Sequence, residues 1–207
     1  MSGPVAQISV VPRPAVGQTR RMSLSLRYTR PAMVLHWLVA VLIVANVALG
    51  LTAELYPETW IRPAIDLHKS IGITVLGLAL MRVLWRLTHA PPPMPAGYGR
   101  LKRLGAHAAH LALYGLILAL PLSGWIHDSA FAHAAQHPLR LYDLVPWPRI
   151  GFIQAMAPEA KQRVHAQWFS IHVALAYFLY ALFALHVAGA LKHQLWDREP
   201  ELRRRWS

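Results

Sequence analysis

Long apolar runs, separated by clusters of charge and proline, set the pattern of this chain. Stretches free of Asp, Glu, Lys and Arg extend from Pro31 to Ala53, from Leu104 to His127 and from Val164 to Leu191. Each is long enough for the ~20 apolar residues that cross ~30 Å of hydrocarbon as a helix. A fourth segment, from about Asp66 to Leu87, has an uncharged centre from Ser70 to Met81. Lys69 and Arg82 at its edges can snorkel towards the headgroups, so it too is expected to span. The pattern predicts an all-α integral membrane protein, a four-helix transmembrane bundle with helices at about 31–53, 66–87, 104–127 and 164–191. The first run is longer than the apolar core of a cleaved signal peptide and follows a 30-residue arm, which makes it an anchor.

The connections divide the chain into a basic N-terminal tail (1–30), a membrane domain (31–193) and a C-terminal tail (194–207). Pro31 suits the first position of a helix, where its missing N–H costs nothing. A short loop, Glu54 to Ile65, joins the first two helices, and the Pro91-Pro92-Pro93-Met94-Pro95 run acts as a stiff spacer before the third. The third helix is expected to end near Pro121-Leu122-Ser123-Gly124-Trp125. The longest connection, about Asp128 to Arg163, is interrupted by Pro138, Pro146, Pro148 and Pro158 and carries Tyr142, Trp147 and Phe152. It is expected on the membrane surface, partly inserted. No internal repeat stands out.

Composition agrees with a lipid-solvated chain: 55% of the residues are hydrophobic and 14% charged, and the mean hydropathy is +0.32. The net charge of +12 would suggest nucleic acid in a soluble protein, so its distribution matters. Segments 1–30, 82–103 and 192–207 hold 15 Lys and Arg against three acids, whereas the opposite side holds six against six. This asymmetry places both termini in the cytoplasm and makes anionic lipid, not nucleic acid, the partner of the basic arm Arg13, Arg20, Arg21, Arg27 and Arg30. The absence of cysteine excludes disulfides, iron–sulfur ligation and covalent c-type haem attachment in this chain.

The chemistry lies in the histidines, of which there are 12. Ionisable residues inside a membrane are expensive and mark function by default. His36, His68, His110, His172 and His186 fall within the predicted helices. His172 and His186 are 14 residues apart, a rise of ~21 Å that returns to nearly the same face, so one helix presents an imidazole near each membrane surface. His165 and His193 share that seven-residue series but border Arg163 and Lys192 at the interfaces. At matching depths, His36 on the first helix is level with His186, and His68 on the second with His172. Two bis-histidine haem sites stacked across the bilayer follow, His36 with His186 and His68 with His172. The residues four positions beyond these histidines are Ala40, Gly72, Ala176 and Ala190, all small enough to admit a macrocycle.

Other readings stay open at this point. The histidines can instead pack helices through hydrogen bonds or relay protons, and a zinc or copper site would need ligands converging on one point. His110 is the substitute for His36, or a donor to a haem propionate. Arg82, 14 positions after His68, can pair with propionates of the inner haem or serve as a positive-inside anchor. His89, His107, His127, His133 and His137 lie in or near loops and are expected at the solvated surface.

The sequence resembles the bacterial cytochrome b561 family over about Tyr28 to Arg198. The marks are Leu35-His36-Trp37, Leu67-His68-Lys69-Ser70-Ile71-Gly72, Arg82 with Arg86 and the proline run Pro91 to Pro93. Further on come His110 with Tyr114, Pro121-Leu122-Ser123-Gly124-Trp125, and His172 and His186 with Gly189. The resemblance implies four helices, two non-covalent haems b held at His36, His68, His172 and His186, and single-electron exchange with ubiquinol or ubiquinone in the inner membrane. The acceptor is then quinone, an oxygen species such as superoxide, or a periplasmic or membrane redox protein. Lys69, Trp168 and the aromatic outer loop are candidates for the quinone site. Two rival functions are an anchor subunit that takes electrons from a partner dehydrogenase, and a haem-free transporter.

Overall fold

The computed structural model describes residues 29–89 and 99–195. The tail arginines Arg13, Arg20, Arg21 and Arg27, the Pro91 to Pro95 run and the segment from residue 196 onward lie outside the described residues. In chain order the elements are α1 (Arg30–Thr52), a 3₁₀ turn (Ala53–Leu55), α2 (Glu58–Thr88), α3 (Arg100–Ser129), the strands β1 (Arg140–Leu141) and β2 (Val145–Pro146), the short α4 (Gly151–Gln154), and α5 (Pro158–Leu195).

Four of these, α1, α2, α3 and α5, are long and apolar enough to cross a membrane. Several boundaries differ from the sequence expectation, among them the start of α5, which lies at Pro158 instead of near Val164, and two have a local cause. Helix α2 starts at Glu58 instead of near Asp66: Pro57 occupies the N-cap position without a side-chain cap, and Glu58 sits in the first turn, complementing the helix dipole. An Arg62–Asp66 ion pair of 2.9 Å, one turn apart, then holds the added length. Freedom from charge marks the apolar span, not the whole helix. Helix α3 passes through Pro121 and ends at Ser129; membrane helices tolerate such a proline where neighbouring helices, hydroxyl side chains or local adjustment re-satisfy the freed carbonyl.

The helices pack in sequence, α1 on α2, α2 on α3 and α3 on α5. Val39 and Ile43 of α1, Ile71 and Val75 of α2, Leu113 of α3 and Leu179 of α5 form the shared core. Outward faces carry exposed apolar residues such as Val41, Leu84, Leu111, Phe178 and Leu185, the surface expected of a helix whose solvent is hydrocarbon. We call the end where α1 begins and α5 finishes proximal, and the opposite end distal.

The connection between α3 and α5 folds into a distal cap. Arg149 fastens it: Nε donates to Asp128 Oδ2 at 2.8 Å, and the two terminal nitrogens donate to the carbonyls of Ala134 at 2.9 Å and His137 at 2.8 Å. Ser129, fully buried, accepts from the Ile150 N–H at 3.0 Å and donates to the Trp125 carbonyl at 2.7 Å. The β1–β2 hairpin turns through Tyr142 (φ 52°) and Asp143 (φ 58°), both in the left-handed region. Its tip clasps α2: the Tyr142 N–H donates to Ser70 Oγ at 2.9 Å, and the phenol bonds Thr74 Oγ1 at 2.8 Å.

Candidate functional site

Towards the distal end, His68 of α2 and His172 of α5 face each other with ring centroids 6.1 Å apart and planes at 78°. A first-row metal–imidazole bond of ~2.0–2.1 Å places two trans imidazole centroids roughly 6.3 Å apart across the metal. The observed spacing therefore fits a bis-imidazole metal site without movement of either helix.

Both rings are seated by the same device. The His68 Nδ1–H donates to the Asn46 carbonyl of α1 at 3.0 Å, and the His172 Nδ1–H to the Leu120 carbonyl of α3 at 3.1 Å. Ser123 Oγ supports the second seat, 3.0 Å from His172 Nδ1 while donating to Leu120 O at 2.8 Å. Four residues beyond each acceptor stands a glycine. A Cβ on Gly50 would lie 3.3 Å from His68 Cε1, and a Cβ on Gly124 would lie 3.3 Å from His172 Cε1. With Nδ1 committed as donor, the neutral ring keeps its Nε2 lone pair free, the tautomer that ligates iron. Gly72, which the sequence picks out as a small neighbour of His68, would with a Cβ make only ordinary contact, 3.7 Å from Asn46 Nδ2.

Towards the proximal end, His186 of α5 meets His110 of α3, with centroids 5.3 Å apart and planes at 79°. That is closer than two trans ligands would sit. The His110 Nδ1–H donates to the Ala106 carbonyl of its own helix at 2.7 Å. His36 lies near the start of α1 with its Nδ1 buried and its ring 5.5 Å from that of Trp37. Arg82 and Arg86 of α2 both lie over the ring of Tyr114, with guanidinium carbons 5.1 and 5.9 Å from its centroid.

Lys69 is held by carboxylates, Asp128 at 2.7 Å and Asp66 at 3.4 Å. Asp128 was not singled out by the sequence, which reads it as the first residue of a loop. In the fold its side chain is 6% exposed and bridges Lys69 and Arg149, joining α2, α3 and the cap. Trp168 is partly buried on α5, one turn before His172. His127 and His165 form a further distal pair, stacked at 3.9 Å, each Nδ1 bonded to the other's backbone carbonyl at 2.9 and 3.1 Å. This half-buried partnership differs from the solvated surface expected for His127.

Four apolar helices enclosing histidines whose rings face one another across helix boundaries define a multi-pass helical membrane protein with the ligand chemistry of a cytochrome b. The sequence matches the prokaryotic cytochrome b561 family over residues 27–207. It is 34% identical over 182 residues to cytochrome b561 homolog 2 of Escherichia coli (strain K12), covering 86% of this chain and 90% of that protein. It is 26% identical over 162 residues to a probable superoxide oxidase, CybB, of Yersinia pestis, covering 77% and 84%. The chain belongs to the prokaryotic cytochrome b561 family. It is thus a bacterial membrane cytochrome b of electron transfer, and the family brings haem b as cofactor.

Proposed function

We propose that this protein carries two haems b, one ligated by His68 and His172 and the other by His36 and His186, and passes single electrons between them and the ubiquinone pool. The observation that carries this reading is the 6.1 Å facing of His68 and His172, each Nδ1–H tied to a backbone carbonyl of the neighbouring helix. When bound, the haems would supply one-electron redox chemistry, with the imidazoles of these four histidines as the groups that would hold them. Everything else is the work of the chain. The carbonyls of Asn46 and Leu120 fix which ring nitrogen faces the metal, while Gly50 and Gly124 leave room for the rings.

At the proximal end, the ring contact between His110 and His186 favours a second reading in which His110 replaces His36 as ligand. Arg82 and His110 otherwise stand beside the proximal haem as propionate partners. The quinone reading of Lys69 and Trp168 is supported by their positions, one residue after His68 and one turn before His172. The Yersinia relative's name adds superoxide as an electron donor: two superoxides would each give up one electron and leave as dioxygen, and one quinone would take those two electrons with two protons to become quinol. Proximal positive charge supports an N-terminus in the cytoplasm of a bacterial inner membrane, with the cap on the periplasmic side.

The test is the reduced-minus-oxidised visible spectrum of the detergent-purified protein with haem quantified per chain. Wild type should show low-spin b-type bands from two haems. His172→Ala and His186→Ala should each lose one of them. Comparing His36→Ala with His110→Ala identifies the proximal ligand, since only the true one removes the proximal haem's share of the low-spin bands. Full haem content in both α5 variants would sink the assignment.

A further inference from the structure

The proximal halves of α2 and α3 bring together groups other than the histidines assigned as ligands. Tyr114 stands one turn beyond His110, and its hydroxyl is buried with no hydrogen-bond partner. Buried phenols ordinarily find one, and each exception calls for an explanation. The ring beneath that hydroxyl carries the guanidinium of Arg86 at 5.9 Å as well as that of Arg82 at 5.1 Å. Two like charges over one ring repel each other. Cation–π attraction is weak for an exposed cation and gives little reason for the second. Arg86 lies in the last turn of α2 and is exposed, where a basic side chain at the end of a membrane helix can reach the headgroups. The carboxylates of the described residues, Glu54, Glu58, Asp66, Asp128, Asp143 and Glu159, all lie towards the distal end.

The geometry points to an oxyanion seat made by the Tyr114 hydroxyl with the guanidinium groups of Arg86 and Arg82. Its ligand is a carboxylate or phosphate group that accepts from the phenol and is flanked by the two cations. Two sources supply that chemistry at this depth. One is a propionate of the proximal haem, and this source rests on the haem reading given above. The other is the phosphate of an anionic phospholipid, independent of that reading. The guanidinium groups hold the charge, and the phenol supplies the directional bond that distinguishes a built seat from a general positive surface.

The experiment compares wild type with Tyr114→Phe and Arg86→Gln, and uses Arg100→Gln as a control that removes a cation at the same end but away from the ring. Each protein is purified in detergent with added phosphatidylglycerol. Haem midpoint potentials are titrated spectroelectrochemically, and retained phospholipid per chain is counted by native mass spectrometry. If the seat holds a propionate, both test variants keep their haem count, one haem potential falls because its carboxylate is less neutralised, the other potential stays, and lipid retention is unchanged. If it holds a phosphate, retained phosphatidylglycerol falls several-fold in both variants with the potentials unmoved. No change in either quantity, or equal changes in Arg100→Gln, would overturn the seat. Failure of the haem reading shows separately as a wild-type protein without b-type bands, and the lipid count then decides alone.

Discussion

Two residues without side chains govern how two imidazoles sit. At Gly124 an added methyl would stand 3.3 Å from the His172 ring, a contact that alanine meets with a shift of a few tenths of an ångström. A branched side chain cannot be fitted that way, because the ring is held from the other side by the Leu120 carbonyl. Gly124→Val should therefore lose the distal haem while retaining the proximal one, with Gly124→Ala intermediate, as read by haem quantification. Ser123→Ala provides the contrast: it removes a helper, not the carbonyl, and should cost about 1 kcal/mol with haem retained. The histidines themselves were legible in the sequence, since an imidazole deep in an apolar run announces itself. Their seats were not. A backbone carbonyl on another helix has no letter of its own, and Gly50 reads as one of several small residues in an apolar segment.

At the level of elements, the cap depends on one carboxylate. Asp128 stands between Lys69 and Arg149, whose side chains are 20% and 9% exposed. Removing one partner from a buried ion pair leaves uncompensated charge, at a cost of about 3–5 kcal/mol. Asp128→Asn should accordingly loosen the cap before the helices, seen as protease cleavage within residues 130–157 at a temperature where wild type resists. Asp143 offers the opposite change. Its φ of 58° is one that glycine adopts freely, and its ion pair with Arg140 is 95% exposed on the aspartate side, so little is lost there. Asp143→Gly should leave cap stability unchanged or raise it by up to ~1 kcal/mol, measurable in the same digestion series. The sequence showed prolines and aromatics in this segment but not how they fold. The tie from Arg149 to Asp128 crosses 21 residues and those from Tyr142 to α2 cross about 70, and no local periodicity encodes such contacts.

For the whole molecule, the asymmetry of charge supports the proposed direction across the membrane, on which helix packing alone is silent. Alkaline phosphatase fused after Gln136, within the cap, should be active, and the same enzyme fused after Ser207 inactive. The reverse pattern would place the cap in the cytoplasm and undo the orientation. The four spans were legible because an apolar run of the right length has few alternatives in lipid. The true start of α2 was less so, because Pro57 and Glu58 set the helix while the charges at Asp66 and Lys69 set only the depth of its apolar part.

The fastened cap also bears on how this protein meets others. Association is slowed and weakened when a surface must be ordered as it is covered. Here the order is already present in the Arg149 fan and the Tyr142 clasp. A soluble redox partner arriving at the distal face would meet a preformed surface, so encounter rates should follow ionic strength and collision frequency, with no separate slow phase for loop closure.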